Sequence, residues 1–386
     1  MKIGQFSDSF LPIVDGVGRV VYHYATALCK HGEECYVIAP MSDTGYRGGY
    51  PFELVDFASM ELPRQRQYST GIPSLDPHYD ARMRNISLDI IHAHSPFIAG
   101  LEAQRLARRR NIPMIGTFHS RYYDDFYQYT RAEMLANIAV ATIVNFYQRC
   151  DEVWTVSQSS AETLHDYGYA GDIVVIPNGT PDVEPNPARA AAAKAHFQLP
   201  GDPILLYCGQ MNWKKNILRI LESCADYQQK GKPFVLVLAG QGPDTKAIRQ
   251  KADELGLSGR TRFTGHITDE DLLYGLYEVA DLFVFPSLYD TSGMVVRESA
   301  AMETPSVVVR GCATAEPIID RQNGFLCEDT TASLCSIIEL ALSDLPMTQA
   351  VGRLARKTIY LSWDDIAASA LDRYSALIEQ HKANRR

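Results

Sequence analysis

The hydrophobic positions of this chain fall into short apolar runs that alternate with segments of helical period. The runs KIGQF at 2–6, DIIHAH at 89–94 and PMIGTFHS at 113–120 are rich in branched and aromatic residues, and good helix formers follow each of them. The pattern starts again with ILLYCG at 204–209 and FVLVLAGQGP at 234–243. Strands that alternate with helices predict parallel sheets with helices on both faces, so we expect an α/β protein with two doubly wound, Rossmann-like sheets.

A proline-rich segment separates the two halves of this pattern. It reads PDVEPNPARAAAAKAHFQLPGDP, and its five prolines and its alanine run interrupt the alternation of strands and helices. We therefore expect domains at 1–185 and 186–361, with an amphipathic C-terminal helix in 362–386. Residues 41–88 show little periodicity and predict loops with one or two short elements.

The most informative stretch is PSLYDTSGMVVRESAAM at 286–302. It follows the apolar run DLFVF, and its Ser/Thr/Gly cluster opens a segment of helix formers, which predicts a strand, a tight loop and a helix N-terminus. The first helical turn, near Ser292, Gly293 and Met294, would present unpaired amides and the positive end of the helix dipole. Such a turn suits a phosphate group.

Two carboxylates flank this predicted phosphate site. Glu298 lies four residues after Met294 on the same helix face and leans back toward the N-terminus. Asp290 precedes the turn, where it would be repelled by the phosphate unless it binds neutral hydroxyls, so one acid for each sugar of a nucleotide-sugar is a natural interpretation. The alternative is that Asp290 or Thr291 caps the helix and Glu298 is a solvated surface charge, and for either acid alone this alternative is the better one.

Two other strand ends carry glycines or cations. DGVGR at 15–19 opens a helix that runs to about Lys30, but Val21 leaves the GxGxxG pattern incomplete, so NAD is not expected there. GQMNWKKN at 209–216 follows ILLYCG and opens a helix at Asn216.

The spacing of Asp290 and Glu298, with seven residues between them, resembles the donor-binding signature of the retaining, metal-independent glycosyltransferases of family 4, which have the GT-B fold. The family has Glu as its first acid and usually Phe-Gly in the loop, where this chain has Asp290 and Ser292-Gly293. The resemblance covers nearly the whole chain and is strongest from about 200 to 330. It implies two Rossmann-like domains that face a cleft, with the nucleotide-sugar on the C-terminal domain and the C-terminal helix returning to the N-terminal one.

The resemblance also implies roles for single residues. Lys215 matches a lysine that clamps the donor diphosphate, whereas Gln210 stands where the family usually has arginine, so another cation, Lys214, Arg19 or Arg297, would have to replace that charge. The implied donor-binding residues are Gly16, Gln210, Lys215, His266, Ile267, Asp290, Ser292, Gly293, Met294 and Glu298. The implied catalytic residues are His119, Asp290 and Lys215. For Gly16 a plain turn is the alternative role.

The acceptor side is implied by the Thr-aromatic-His at the end of PMIGTFHS. The resemblance favours His119 as the histidine beside the donor sugar and the acceptor, with His92 and His94 as competitors. The aromatic and acidic loop after it, with Tyr122, Tyr123 and Asp124, is a candidate acceptor wall, and a loop packed by its own rings is the alternative. Adjacent acids at 124 and 125 are a weak metal signal, and we expect no metal.

Composition limits the class of partner. A net charge of −9 and a pI near 5.6 argue against nucleic acid as the main partner. Eight scattered cysteines without a CxxC pair, no visible signal peptide and no apolar stretch of membrane-spanning length favour a cytoplasmic protein, at most associated with the cytoplasmic face of a membrane. The basic segment at 108–110 suits either a helix C-terminus or an anionic membrane surface.

We therefore expect an enzyme that moves a hexose from a nucleotide-sugar, UDP-linked in the favoured case, to an acceptor hydroxyl, with a lipid such as diacylglycerol or a carbohydrate as acceptor and no cofactor. Three alternatives stay open. They are a nucleotide-sugar-binding protein of impaired activity, a sugar-nucleotide epimerase of the same fold and, as the least favoured, an NAD enzyme.

Overall fold

The computed structural model describes residues 1–11, 16–41, 49–62 and 65–384. In this part of the chain the strands are β1 Lys2–Phe6, β2 Glu34–Met41, β3 Glu53–Leu62, β4 Gln65–Gly71, β5 Ile90–Ala93, β6 Met114–Phe118, β7 Glu152–Thr155, β8 Val174–Val175, β9 Ile204–Cys208, β10 Val235–Ala239, β11 Thr261–Gly265, β12 Leu282–Val284, β13 Ser306–Val309 and β14 Phe325–Cys327. The helices are α1 Gly16–Lys30, α2 Pro77–Asn85, α3 Ile98–Arg110, α4 Tyr122–Thr130, α5 Glu133–Tyr147, α6 Gln158–Asp166, α7 Pro187–His196, α8 Ile217–Gln229, α9 Thr245–Glu254, α10 Glu270–Val279, α11 Met294–Ala301, α12 Thr331–Ser343, α13 Leu345–Thr358 and α14 Trp363–Ala383.

These elements form two compact units. Unit 1 contains Met1–Pro181 and Ser362–Arg386, and unit 2 contains Asp182–Leu361. Each unit has its own sheet and its own hydrophobic core.

Unit 1 is built on an eight-stranded sheet with the order β4-β3-β2-β1-β5-β6-β7-β8. All neighbouring strands are parallel except β3 and β4. Because β1 lies between β2 and β5, the strand order changes direction beside β1, and the carboxyl ends of β1 and β5 form the topological switch point where α/β sheets bind ligands.

Unit 2 has a six-stranded sheet with the order β11-β10-β9-β12-β13-β14, and all of its strand pairs are parallel. Its switch point lies between β9 and β12, which pair at Leu206 and Phe283. Both of these side chains are fully buried, so the switch point rests on a rigid core.

The prediction of two doubly wound α/β sheets is confirmed. The prediction for residues 41–88 is wrong in its extent, because two long strands and helix α2 lie there. β4 reads QRQYSTG and pairs only with β3 at the edge of the sheet, so it needs no apolar run and shows no strand-like pattern.

The C-terminal helix α14 belongs to unit 1 and packs against α1. It starts with a capping box in which the Ser362 side chain accepts from the amide of Asp365 and the Asp365 carboxylate accepts from Ser362. Its Tyr374 is fully buried. Among the described residues no single helix is long and apolar enough to cross a bilayer, and α12 with α13 meets that test only as a pair bent by 102°.

Candidate functional site

The loops after β9 and β12 meet at the switch point of unit 2. The Nζ atom of Lys215, in the first loop, lies 2.7 Å from Oδ1 of Asp290, in the second. Asn216 adds a second tie, since its side-chain amide donates to the carbonyl oxygen of Pro286 at 3.1 Å. The structure therefore brings together two residues that are 75 positions apart and that the sequence assigned to one site.

The hydrogen-bonding capacity of the Asp290 carboxylate is only partly used. Its side chain is 22% exposed, and its Oδ2 atom is buried without a hydrogen-bond partner in the described part of the chain. A buried carboxylate oxygen is costly without a donor, so this atom is ready to accept a hydroxyl hydrogen from a ligand.

The three candidates for the missing arginine charge lie in different places. Lys214 is in the same loop as Lys215, and its Nζ lies 4.8 Å from the ring centroid of Tyr289, next to Asp290. Arg297 is turned into the interior, where it donates to the carbonyl oxygen of Ile359 at 2.5 Å and where burial lowers its pKa to about 10. Arg19 belongs to α1 in unit 1. Lys214 is thus the candidate that the structure places beside Lys215 and Asp290.

The predicted helix N-terminus is α11, which begins at Met294 after Gly293. Gly293 has a left-handed φ of +58°, and a Cβ atom there would lie 2.8 Å from Cγ2 of Thr314. Glycine therefore fits this turn for two reasons, backbone conformation and close packing. Ser292 and Met294 on either side are half-buried.

Glu298 lies in the interior of unit 2, where it is 3% exposed and accepts from the hydroxyl of Tyr277 at 3.0 Å. The alternative that it is a solvated surface charge is therefore wrong. Its assignment as a sugar- or ribose-binding carboxylate stays a prediction, and the structure adds Tyr277 as the group that holds it.

The remaining donor candidates lie at loop or helix starts. Gln210 and His266 are exposed, and Ile267 packs partly against the core of unit 2. Gly16 is the exposed first residue of α1 in unit 1. Residues 12–15, which include Asp15 of the DGVGR segment, lie outside the described residues.

In unit 1, polar side chains meet at the carboxyl ends of β1, β5 and β6. Nε2 of His119 lies 3.0 Å from Nδ1 of His94, whose Nε2 lies 2.5 Å from Oε1 of Gln5. His92 contacts the hydroxyl of Tyr374 through Nδ1 and that of Thr117 through Nε2, both at 2.6 Å. His119 and its two competitors thus form one buried network.

Burial controls the charge of this network. It lowers the pKa of His119 to about 4 and the pKa of His92 and His94 well below the ordinary value, with a further lowering from the neighbouring histidines in the last two. All three imidazoles are therefore neutral at physiological pH, and His119 is suited to hydrogen bonding and orientation.

The aromatic and acidic segment after His119 is a helix, so the loop prediction is wrong. α4 covers Tyr122–Thr130 and has Asp124 and Asp125 in its first turn, where acids suit the helix dipole. Tyr122 is buried in the core of unit 1, Tyr123 is half-buried and stacks parallel to Tyr127 at 6.2 Å, and Asp124 is exposed. The three acceptor candidates thus point into different surroundings.

The basic end of α3 is partly structural. Arg110 donates to the carbonyl oxygens of Met83 and Ile86 at the end of α2.

No group of three or more histidine, cysteine or acidic side chains that could hold a metal ion occurs among the described residues.

Several contributors were missed from the sequence. Gln5 and Tyr374 complete the histidine network, and Tyr289 and Asn216 hold the loop of Lys215. Two signals were present in the sequence. One was Gln5 inside an apolar strand, and the other was an asparagine, Asn216, directly before a helix, where the structure has a left-handed φ of 58°. Nothing local pointed to Tyr374.

The fold and these sites define a two-domain α/β protein with polar groups at the switch point of each sheet. Residues 14–182 match the model of Glycosyltransferase Family 4, and residues 189–358 match that of Glycosyl transferases group 1. The chain belongs to the family 4 glycosyltransferases of the GT-B fold.

Known proteins agree with this assignment. The chain is 27% identical over 320 residues to alpha-monoglucosyldiacylglycerol synthase of Streptococcus pneumoniae, with 80% of this chain and 70% of that protein covered. It is 26% identical over 392 residues to a GDP-mannose-dependent alpha-mannosyltransferase of Corynebacterium glutamicum, with coverage of 98% and 89%. The crystal structure of Anabaena HepE in complex with UDP has a TM-score of 0.77 at 17% identity and covers 97% of this chain and 100% of that one.

Proposed function

We propose that this glycosyltransferase is a retaining hexosyltransferase that binds the diphosphate of a nucleotide-sugar at the unit 2 switch point and transfers the sugar to a hydroxyl group, without a metal. The observation that carries the proposal is the pairing of Lys215 with Asp290, in the loop that leads into α11. This arrangement offers a cation and helix amides for phosphate and a carboxylate oxygen for a sugar hydroxyl.

The charge that develops on the departing diphosphate would be met by groups that are already in place. Lys215 supplies one ammonium group and the first turn of α11 supplies amides. We propose Lys214 as the second cation, in the role of the family's arginine, because its ammonium lies over Tyr289 next to Asp290. Gln210 then contributes no charge.

The reaction would leave the anomeric configuration unchanged. As the family resemblance implies, the incoming hydroxyl would attack from the same face from which the diphosphate departs. An oxygen of the departing phosphate would take the proton of that hydroxyl. Neutral His119 would orient the reacting hydroxyls rather than exchange a full proton. Asp290 would bind a hydroxyl of the transferred sugar through Oδ2.

The donor is proposed to carry UDP, because the segment at 265–267 resembles the part of the family that holds a uracil-type base. The mannosyltransferase among the relatives is named for GDP-mannose, so the nucleotide needs a direct test. UDP-glucose, UDP-galactose and GDP-mannose should be incubated with the purified protein, and the released nucleoside diphosphate and the sugar product measured.

Each outcome of that screen decides between named activities. Release of UDP with formation of an α-linked glycoside, in the presence of diacylglycerol or a sugar acceptor, supports the proposal. Conversion of the donor sugar without an acceptor would indicate an epimerase, and binding without turnover would indicate an impaired nucleotide-sugar-binding protein.

A lipid acceptor is favoured by an exposed apolar ridge on α5, next to α4 in unit 1. The ridge consists of Met134, Leu135 and Ile138, which are 74%, 53% and 53% exposed. Apolar side chains of this size gain free energy at a bilayer interface. Replacing all three with serine should abolish co-sedimentation with vesicles of phosphatidylglycerol and diacylglycerol, whereas Arg108→Gln with Arg109→Gln should weaken it only at low salt.

A further inference from the structure

The ring of Tyr289 lies close to two ammonium groups at the switch point of unit 2. Nζ of Lys214 lies 4.8 Å from the centroid of this ring, and Nζ of Lys215 lies 5.8 Å from it. Both distances fall within the range, about 6 Å, over which the face of an aromatic ring attracts a cation. All three side chains are half-buried, so salt screens these contacts less than it would on an open surface.

The main chain that carries the two lysines is fixed by its own hydrogen bonds. Trp213–Lys215 form a short 3₁₀ turn, in which the side chain of Asn212 accepts from the amide of Lys214 at 3.0 Å and its carbonyl oxygen accepts from the amide of Lys215 at 2.9 Å. Neighbouring residues of a 3₁₀ turn point about 120° apart, so the turn alone does not make their side chains converge. The ring of Tyr289, in the other loop, is the contact that the two lysines share.

We infer that Tyr289 is a positioning residue for Lys214 and Lys215, because its ring gathers the two ammonium groups that the donor diphosphate meets. This role rests on the proposed function, in which both lysines bind the diphosphate. A lysine ammonium has three N–H donors, so it can face a ring, donate to a carboxylate such as that of Asp290 and still donate to a phosphate oxygen. Since the ring holds both side chains before the nucleotide arrives, less conformational freedom is lost on binding.

The pair of lysines gathered on one ring favours a nucleoside diphosphate over a nucleoside monophosphate. Two phosphate groups present more oxygens and more negative charge than one, and each ammonium forms a charge-assisted hydrogen bond with an oxygen that it reaches. A monophosphate makes fewer of these contacts, so it gains less when both ammonium groups are held in place. Loss of the ring should therefore weaken the binding of the diphosphate more than the binding of the monophosphate.

Two substitutions of Tyr289 separate the ring face from the hydroxyl group. Tyr289→Leu removes the ring, whereas Tyr289→Phe keeps the ring and removes only the hydroxyl. Leu288→Ala is the matched control, because it shortens a 42% exposed side chain of the same loop and leaves the ring in place. Lys214→Gln removes one of the two ammonium groups and leaves the side chain of Tyr289 unchanged, so the inference remains testable if Tyr289→Leu does not fold.

Binding is measured by calorimetric titration with UDP and UMP, and with GDP and GMP in parallel. Tyr289→Leu should raise the Kd for the diphosphate by about fivefold to thirtyfold and the Kd for the monophosphate by less than about threefold. Tyr289→Phe and Leu288→Ala should keep both values within about twofold of the wild type. Tyr289→Leu combined with Lys214→Gln should raise the Kd for the diphosphate by less than the product of the two single effects, because both changes remove the same contact. Equal weakening for both nucleotides, equal weakening in Tyr289→Phe, or effects that multiply fully would overturn the inference.

The contact between ring and lysines is measured without nucleotide, by NMR of 13C-lysine-labelled protein. Protons over the face of an aromatic ring are shifted upfield, and Lys214→Gln and Lys215→Met assign the signals. We expect upfield-shifted ε-protons in the wild type and in Tyr289→Phe, and loss of this shift in Tyr289→Leu. Unshifted signals of both lysines in the wild type would overturn the inference, and so would loss of the shift in Tyr289→Leu with an unchanged Kd for the diphosphate. If the wild type shows the shift but binds neither UDP nor GDP, the proposed function fails, and the role of Tyr289 in binding fails with it.

Discussion

Breaking the ion pair of Lys215 and Asp290 separates the structural from the functional role of the lysine. At 2.7 Å and an effective dielectric constant near 20, the Coulomb attraction is about 6 kcal/mol. Desolvation of two side chains that are only 18% and 22% exposed offsets much of it, which leaves a net contribution of about 1.5–3 kcal/mol, as for other hydrogen bonds between charged groups.

We predict that Lys215→Met lowers the free energy of unfolding by about that amount, because it leaves a carboxylate whose other oxygen is already buried without a partner. The double variant Lys215→Met with Asp290→Asn should recover most of the stability, since the unpaired charge is gone. Urea unfolding followed by circular dichroism measures both values.

Nucleotide binding should respond differently. In calorimetric titrations with UDP, and with GDP in parallel, Lys215→Met should raise Kd by about 30- to 100-fold through loss of a charge-assisted contact to the diphosphate. The double variant should bind no better than Lys215→Met. If it binds within about threefold of the wild type, Lys215 only neutralises Asp290 and the phosphate role is refuted.

Three further predictions follow from the geometry of the sites. Gly293→Ala should lower the free energy of unfolding in urea by about 1–3 kcal/mol and weaken nucleotide binding, because φ is +58° and Cγ2 of Thr314 lies 2.8 Å from the new Cβ. Adding Thr314→Ser removes that clash but not the strained φ, so the double variant should recover only part of the stability, and full recovery would refute the role of φ. Glu298→Gln should keep the melting temperature and the bond from Tyr277 but lower kcat/KM by about 100-fold, and unchanged kcat/KM would remove Glu298 from the donor site. The free energy of unfolding should fall as the pH drops from 6.5 toward 4, because His119 binds a proton in the unfolded chain but stays neutral where it is buried in the folded protein. In this pH range His119→Gln should reduce the dependence of the free energy of unfolding on pH by about 1.4 kcal/mol per pH unit, and an unchanged dependence would contradict this.

The regular alternation of strands and helices made the two sheets predictable. It also indicated where the candidate site of Lys215 and Asp290 lies. Lys215 and Asp290 each follow a strand that lies at the switch point, so their meeting follows from the strand order once the fold is known. Glycine before α11 was likewise readable from the sequence, because a helix start after a left-handed turn favours it.

Other features depend on contacts that no local pattern records. Tyr374 lies 282 residues from His92, and only the docking of α14 within unit 1 brings them together. The burial of Glu298 beside Tyr277 is a similar case, because the two residues are 21 positions apart and no local pattern pairs them. Helix α4 was missed for the opposite reason, since its tyrosines and acids suggested a loop although it contains neither glycine nor proline.

A crystal structure of the protein with its nucleotide-sugar bound tests the central claim most directly. We predict density for the diphosphate at the N-terminus of α11, within hydrogen-bond distance of Nζ of Lys215, and a hydroxyl of the transferred sugar on Oδ2 of Asp290. A diphosphate that contacts neither the first turn of α11 nor Lys215 would contradict the account.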